Sequence, residues 1–253
     1  MPQKNNKELI NKNFSRAAFS YDEVATIQKT AAKKLVALAS PFANESQILD
    51  LGSGSGFVAK EILQKNNQIK IVETDLSRQM LSLWQDRPKN VIAIECDFEN
   101  LPFTENSFDI VISSFALHWL NDFEKSFAQF SAILKPNGIL AFCLPTSKTL
   151  KELKNAGVFY FNDFPDISYI NSILEKNKLT KVNFDCQLVK QEFESGYQAL
   201  KFIKKLGGNH NSKPQFISKR QLEQFNNFCL KNSCSITRKF SISWENSFFI
   251  YRK

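Results

Sequence analysis

The chain has 253 residues, 43% of them hydrophobic, and carries 33 Lys and Arg against 25 Asp and Glu, a formal charge of +8. No run approaches the roughly 18 apolar residues that cross a bilayer, and the polar start from Met1 to Lys12 lacks the apolar core of a secretion signal. This argues against a membrane-spanning helix and points to a cytoplasmic protein long enough to bury one sizeable core, which fits a single α/β domain without requiring it. Cys96, Cys143, Cys186, Cys229 and Cys234 are odd in number and form no C-x-x-C pair, so they read as buried, reduced thiols with neither a zinc site nor a disulfide framework. The basic excess suits an acidic partner. A/T-rich codons for the abundant Lys, Asn, Ile and Phe also account for it. No arginine-rich tract or aromatic–basic repeat points to nucleic acid.

In chain order, residues 5 to 38 contain Val24, Ile27, Ala31, Leu35 and Leu38 at helical spacing, a helix before the first strand with Tyr21 at its approach. Ile48 to Leu51 then reads as a buried strand running into Gly52-Ser53-Gly54-Ser55-Gly56, and a second apolar run from Ile69 to Thr74 ends in Asp75. A strand, a glycine-dense turn and a carboxylate on the next strand tip make the layout of a nucleoside-cofactor pocket. The spacing is G-x-G-x-G after Asp50, not the G-x-G-x-x-G of a dinucleotide site. Val91 to Glu95 reads as a third strand, with Cys96-Asp97-Phe98 at its carboxyl end, where open α/β sheets bind ligands. Leu101 to Asp109 precedes a strand from Ile110 to Ser113, followed by a loop from Ser114 to Leu120 that includes His118. Leu134 to Gly138 ends a helix in a turn before a fifth strand, Ile139 to Leu144. Farther on, Tyr197 to Leu206 and Lys219 to Leu230 read as helices around a polar loop, Gly207 to Pro214.

The Asp50-x-Gly52-x-Gly54-x-Gly56 run resembles motif I of the class I S-adenosylmethionine-dependent methyltransferases, and the Leu101–Asp109 and Leu134–Gly138 segments are similar to that group's later motifs. The resemblance implies a Rossmann-like, seven-stranded, mostly parallel sheet and S-adenosyl-L-methionine as cofactor. It places Gly52, Ser53, Gly54 and Gly56 under the methionyl part and Asp50 at its amino group. Asp75 and Leu76 fall at the ribose, Asp97 and Phe98 at the adenine, and Ser114 opens the loop over the sulfonium. No metal is implied.

The flanks are more selective. Asn13 to Asp22, Thr149 to Leu153 and Ala199 to His210 resemble segments of the malonyl-acyl-carrier-protein O-methyltransferases of biotin synthesis. That resemblance implies a carrier-bound malonyl thioester as acceptor, with Tyr21, His118, Lys148 and His210 lining its site and no indispensable catalytic dyad. An Arg beyond the fifth strand is expected to hold the malonyl carboxylate and is missing here, leaving Lys148, Arg16 or Lys151. The expected organisation is a helical segment 1–40, a cofactor-binding core 41–191, a helical insertion 192–235 and a closing strand 236–253. The insertion reads as a lid whose Lys201, Lys204, Lys205, Lys219 and Arg220 meet an acidic carrier, or as a stabilising appendage. The alternatives are another small-molecule methyltransferase, of trans-aconitate or quinone-pathway type, and a binding protein on a retired methyltransferase domain.

Overall fold

The computed structural model describes residues 6–156, 164–206 and 218–253. Seven strands form one sheet: β1 (Gln47–Leu51), β2 (Lys70–Asp75), β3 (Val91–Glu95), β4 (Phe108–Ser114), β5 (Leu134–Pro145), β6 (Thr180–Phe193) and β7 (Phe240–Arg252). Their spatial order is β3-β2-β1-β4-β5-β7-β6. The first five run parallel, and β7 lies antiparallel between β5 and β6. The order reverses between β1 and β4, and the loops at their carboxyl ends open there into the crevice where such sheets bind ligands.

Helices cover both faces, so the inner strands are apolar on both sides and alternate neighbours feed opposite layers. Ile48, Ile110, Ile112, Phe248 and Ile250 pack with Leu35 and Val36 of α2 (Thr26–Ala39) and Ile62 of α3 (Phe57–Lys65). Leu49, Leu51, Val111, Phe249 and Tyr251 pack on the opposite face, against α5 (Phe123–Ile133) and α7 (Ile167–Lys176). Between α3 and α5 lie a short helix, α4 (Arg78–Ser82), and one 3-10 turn, Leu117–Trp119. A third cluster, beyond the carboxyl edge, joins α6 (Lys151–Asn155), α8 (Gly196–Lys205) and α9 (Lys219–Lys231) through Leu153, Ile203, Phe225 and Trp244. Asp122, Ser195 and Ser218 each accept a backbone N–H at a helix start, and Ser218 and Gln221 form a reciprocal capping box.

The single helix expected over residues 5 to 38 is two, because the chain breaks at buried Ala25. Helix α1 (Lys7–Val24) ends there, with the Ala25 N–H donating to Tyr21 O at 2.9 Å. The break redirects the chain so that α1 crosses the cofactor crevice while α2 lies on the sheet. Strand β5 begins at Leu134 rather than Ile139; the turn sits inside it as an irregularity, with Asn137 at φ 64. The thiols are not all buried: Cys143 and Cys229 are, Cys96 is partly so, and Cys186 and Cys234 are exposed. No helix among the described residues is long and apolar enough to cross a membrane.

The sheet's centre of mass is aromatic. Phe142 of β5 and Phe249 of β7 stack at 4.8 Å, flanked by Phe127 at 5.2 Å and Phe184 at 5.1 Å. Phe249→Ala is expected to cost about 3–5 kcal/mol, read from the midpoint of urea unfolding at unchanged slope.

Candidate active site

Asp50 sits near the carboxyl end of β1, in register with Glu73 of β2 and Ile112 of β4. Both carboxylates are fully buried, yet they are satisfied differently. Arg87 donates to Glu73 Oε2 through Nε at 2.6 Å, whereas neither oxygen of Asp50 has a hydrogen-bond partner among the described residues. Burial first, and then the charges of Glu73 and Asp75, push the Asp50 carboxyl well above its ordinary range. A buried anion without a partner is costly, so this carboxyl either keeps its proton or meets a cation.

The glycine loop bends over this position. Gly52 takes φ 67, and a β-carbon there would collide with the Ala116 side chain, so only glycine lets the loops after β1 and β4 approach so closely. Ser113 Oγ ties the start of the loop through Leu51 O at 2.7 Å, and Ser53 N–H donates to Thr74 O at 2.9 Å. Gly56 caps α3 at φ 82, packed against Trp84 and Glu73.

Asp75 ends β2 and accepts Gly54 N–H at 2.9 Å on one oxygen and Ser77 N–H at 2.8 Å on the other. Burial raises its carboxyl to about 6; those two backbone bonds oppose the rise and the Glu73 charge adds to it. Each oxygen keeps a lone pair for a further donor. At the far end, Asp97 Oδ1 accepts Lys7 Nζ at 3.2 Å, and Lys7 also pairs with Glu99 at 2.5 Å and lies 4.8 Å over the Phe98 ring. The amino end of α1 is thereby latched to the loop after β3.

Asp50, Gly52, Gly54, Asp75, Lys7, Asp97 and Phe98 line one cavity, a space of about 840 Å³ counting its opening to solvent, with Ile10, Phe14, Tyr21 and Gln28 closing it from the N-terminal helices and Leu76, Ser114 and Phe115 on the sheet side. A second cavity, about 600 Å³ counted the same way, adjoins it and shares Phe14, Tyr21, Gln28, Phe115 and Trp119 as walls. It is otherwise lined by His118, Pro145, Leu150, Phe164, Ile203, Leu206 and Trp244. Those lining residues include no Lys or Arg. Tyr21 stacks on Phe57 at 6.1 Å; burial, followed by the charges of Asp75 and Asp22, pushes its phenol up, so it remains a donor.

Of the sequence-predicted residues, Asp50, Gly52, Ser53, Gly54, Asp75, Leu76, Asp97, Phe98 and Ser114 line the first cavity, Tyr21 both, and His118 the second. Gly56 lies behind the loop and shapes it. Lys148 lines neither cavity: its Nζ pairs with Glu245 at 3.1 Å and is largely exposed. Arg16 and Lys151 are exposed and also line neither. His210 lies outside the described residues. Gln28 was missed although a signal exists: it shares a stripe with Ala31, Ala32 and Leu35, a polar residue on an apolar face. Lys7 and Trp244 carry no such mark.

The strand order, the glycine loop and the row of carboxylates on successive strand tips define a class I S-adenosylmethionine-dependent methyltransferase. Residues 49–142 match the family described as Methyltransferase domain. The particular relatives are consistent with one another. The chain is 28% identical to the malonyl-acyl-carrier-protein O-methyltransferase of Buchnera aphidicola subsp. Baizongia pistaciae, over 86% of this chain and 89% of that one. It is 27% identical to malonyl-acyl-carrier-protein O-methyltransferase 2 of Ilyobacter polytropus, over 91% and 94%. Among solved structures, the YcgJ protein of Bacillus subtilis superposes with a TM-score of 0.68 at 15% identity, covering 88% of this chain and 98% of that one. Phosphoethanolamine N-methyltransferase 2 of Haemonchus contortus, solved with S-adenosyl-L-methionine, gives 0.60 at 17% identity, covering 94% and 57%.

The cavity fits that cofactor: an unpartnered buried carboxylate suits its ammonium, and the free lone pairs of Asp75 suit a diol. A protonated Asp75 loses acceptor capacity, so cofactor affinity rises with pH through about 6. Calorimetric titration with S-adenosylhomocysteine is expected to show binding roughly tenfold weaker at pH 5 than at pH 7, with the slope reduced in Asp75→Asn.

Proposed function

We propose that this chain methylates the free carboxylate of a malonyl thioester carried by acyl carrier protein, an early step of biotin synthesis in the cytoplasm. The observation that carries this reading is the similarity to malonyl-acyl-carrier-protein O-methyltransferases along nearly the whole chain, flanks included. The two adjoining cavities support it, since the first carries the carboxylates that suit a nucleoside cofactor and the second has a largely apolar wall that suits an acyl arm.

In this reading Asp50 holds the cofactor ammonium, with the unpartnered hydroxyls of Ser53 and Ser114 nearby in the same cavity. Asp75 holds the ribose, Asp97 and Phe98 the adenine, and Gly52, Gly54 and Gly56 keep the loop low enough for contact. The bound cofactor supplies an electrophilic methyl group on a sulfonium. A malonyl carboxylate is already ionised at neutral pH and needs no base to become a nucleophile. The protein's task is orientation and dryness: Phe14, Phe115, Trp119 and Tyr21 stand at the seam of the two cavities and exclude water from it. Tyr21 keeps its proton and donates. His118 lies in the acceptor wall beside Trp119, ring centroids 4.7 Å apart.

Helix α8 serves as the lid, because Ile203 and Leu206 at its end form part of the acceptor wall; the expected polar loop 207–214 lies outside the described residues. Lys201 and Lys204, exposed on α8, and Lys219 and Arg220, exposed on α9, together with the partly exposed Lys205, offer positive charge to an acidic carrier. A second reading, a class I methyltransferase for a different small acceptor, is favoured by one observation: the described lining of the acceptor cavity holds no Lys or Arg.

Incubation with labelled cofactor and malonyl-acyl carrier protein, followed by mass analysis, is expected to show a gain of one methyl group on the malonyl arm. No gain there, with methyl transfer to a free small acid, favours the second reading instead. Asp50→Asn is expected to weaken cofactor binding by about 1.5–3 kcal/mol through loss of a charged hydrogen-bond partner, measured by calorimetry.

A further inference from the structure

Trp244 lies on β7, paired with Val189 of β6, and joins Phe115, Pro145 and Leu150 in the wall of the acceptor cavity. The side chain is only 6% exposed, and its Nε1 has no hydrogen-bond partner among the described residues. Buried indoles ordinarily place that N–H on an acceptor, because an unpaired buried donor is costly. Packing alone does not call for it: a Phe ring fills an apolar wall without leaving a donor behind.

The backbone on either side of Trp244 is pinned. Ser243 donates to the Glu152 carboxylate through N at 3.0 Å and through Oγ at 2.5 Å. Glu245 N–H donates to Thr149 Oγ1 at 3.0 Å, and its carboxylate accepts Thr146 Oγ1 at 2.7 Å and Lys148 Nζ at 3.1 Å. Burial opposes ionisation of Glu245, but the bonds from Thr146 and Lys148 outweigh it and hold the carboxyl below its ordinary range. Lys148 is thus a strut for the strand that presents the indole. Gln28, which lines both cavities, also has a buried Oε1 without a partner among the described residues.

We propose that the Trp244 indole N–H donates to the distal carboxylate of the acceptor thioester and selects for acceptors that carry one. The proposal rests on the malonyl-carrier reading. An N–H bond to an anion is charge-assisted and stronger than one between neutral groups. A neutral donor also leaves the oxygen more of its negative charge than an ion pair does, which preserves its nucleophilicity toward a sulfonium methyl. Trp244 is therefore a specificity-determining residue and takes no proton.

Trp244→Phe keeps an aromatic ring and removes the N–H. Its KM for malonyl-acyl carrier protein is expected to rise about tenfold with kcat within about twofold, and its affinity for S-adenosylhomocysteine is expected to stay unchanged. Butyryl-acyl carrier protein, which lacks the distal carboxylate, is expected to inhibit both proteins equally. If the variant loses affinity for butyryl and malonyl carriers alike, the side chain acts by packing and the proposal fails. A readout on the unaltered protein guards against misfolding. Of the three tryptophan indole resonances, the one lost in Trp244→Phe is expected to move downfield when malonyl carrier is added to the S-adenosylhomocysteine complex, and to stay in place with butyryl carrier. Absence of that shift overturns the donor role. The shift without methyl transfer upholds the donor and overturns the reaction instead.

Discussion

A carboxylate left without a partner on the floor of the crevice is the constraint around which the rest is arranged. Asp50 and Glu73 stand side by side on neighbouring strands, and the Arg87 guanidinium goes to Glu73. That pair satisfies one carboxylate oxygen of Glu73 and leaves the other without a partner among the described residues. Asp50 has no such pair, so it keeps its proton until a cation meets it. The sheet tolerates this because stiff parallel neighbours hold β1 on both edges and the glycine loop is tied to Thr74, Leu51 and Asp75 rather than to Asp50. The site withholds an interaction from Asp50, and that is the feature the proposed role for its carboxylate uses.

The acceptor side follows a different rule. Its wall is aromatic, and two of its bulky residues, Phe115 and Leu150, sit in the left-handed region at φ 55. Such a conformation costs a side-chain-bearing residue about 1–3 kcal/mol and persists only where the surroundings enforce it. Here they do: Phe115 N–H donates to Cys143 O and Leu150 N–H to Ser243 O, both at 2.8 Å. The strained backbone turns Phe115 into the wall shared by the two cavities and Leu150 into the wall of the second. Dryness at that seam is paid for in backbone conformation.

Much of this was legible in the sequence because it is local. A glycine at every second position after a buried strand admits few backbone paths, and Asp75 and Asp97 fall on strand tips whose apolar runs are easy to see. The third strand and the helices of the insertion are short periodic segments of the same kind. What escaped depends on partners far apart in the chain. Nothing near Ala25 announces a helix break, since neither Pro nor Gly is present; at the break Ala25 is buried in the cluster that also holds Leu153 and Ile203, residues more than a hundred positions away. Strand β6 alternates weakly because, as an edge strand exposed on much of both faces, it has little apolar pattern to show. Lys148 looked like a ligand for an anion because Glu245 lies almost a hundred residues away in sequence. Gln28 and Trp244 are ordinary residues until the tertiary fold leaves their polar atoms alone.

Strand β7 carries one further consequence. It follows β6 in the chain, yet it lies inside the sheet, antiparallel between β5 and β6. Until residues 240–252 leave the ribosome, β5 has one raw edge and β6 has no strand to pair with in the sheet. The nascent chain therefore carries a five-stranded parallel sheet with an open, apolar flank, a surface prone to mispairing with other chains. Completion is a zipping event in which one strand seals two edges together, and Phe249 closes the aromatic stack in the same movement. Closure of the sheet is thereby tied to one segment far along the chain from β5, and mispairing before it arrives is the hazard this topology carries.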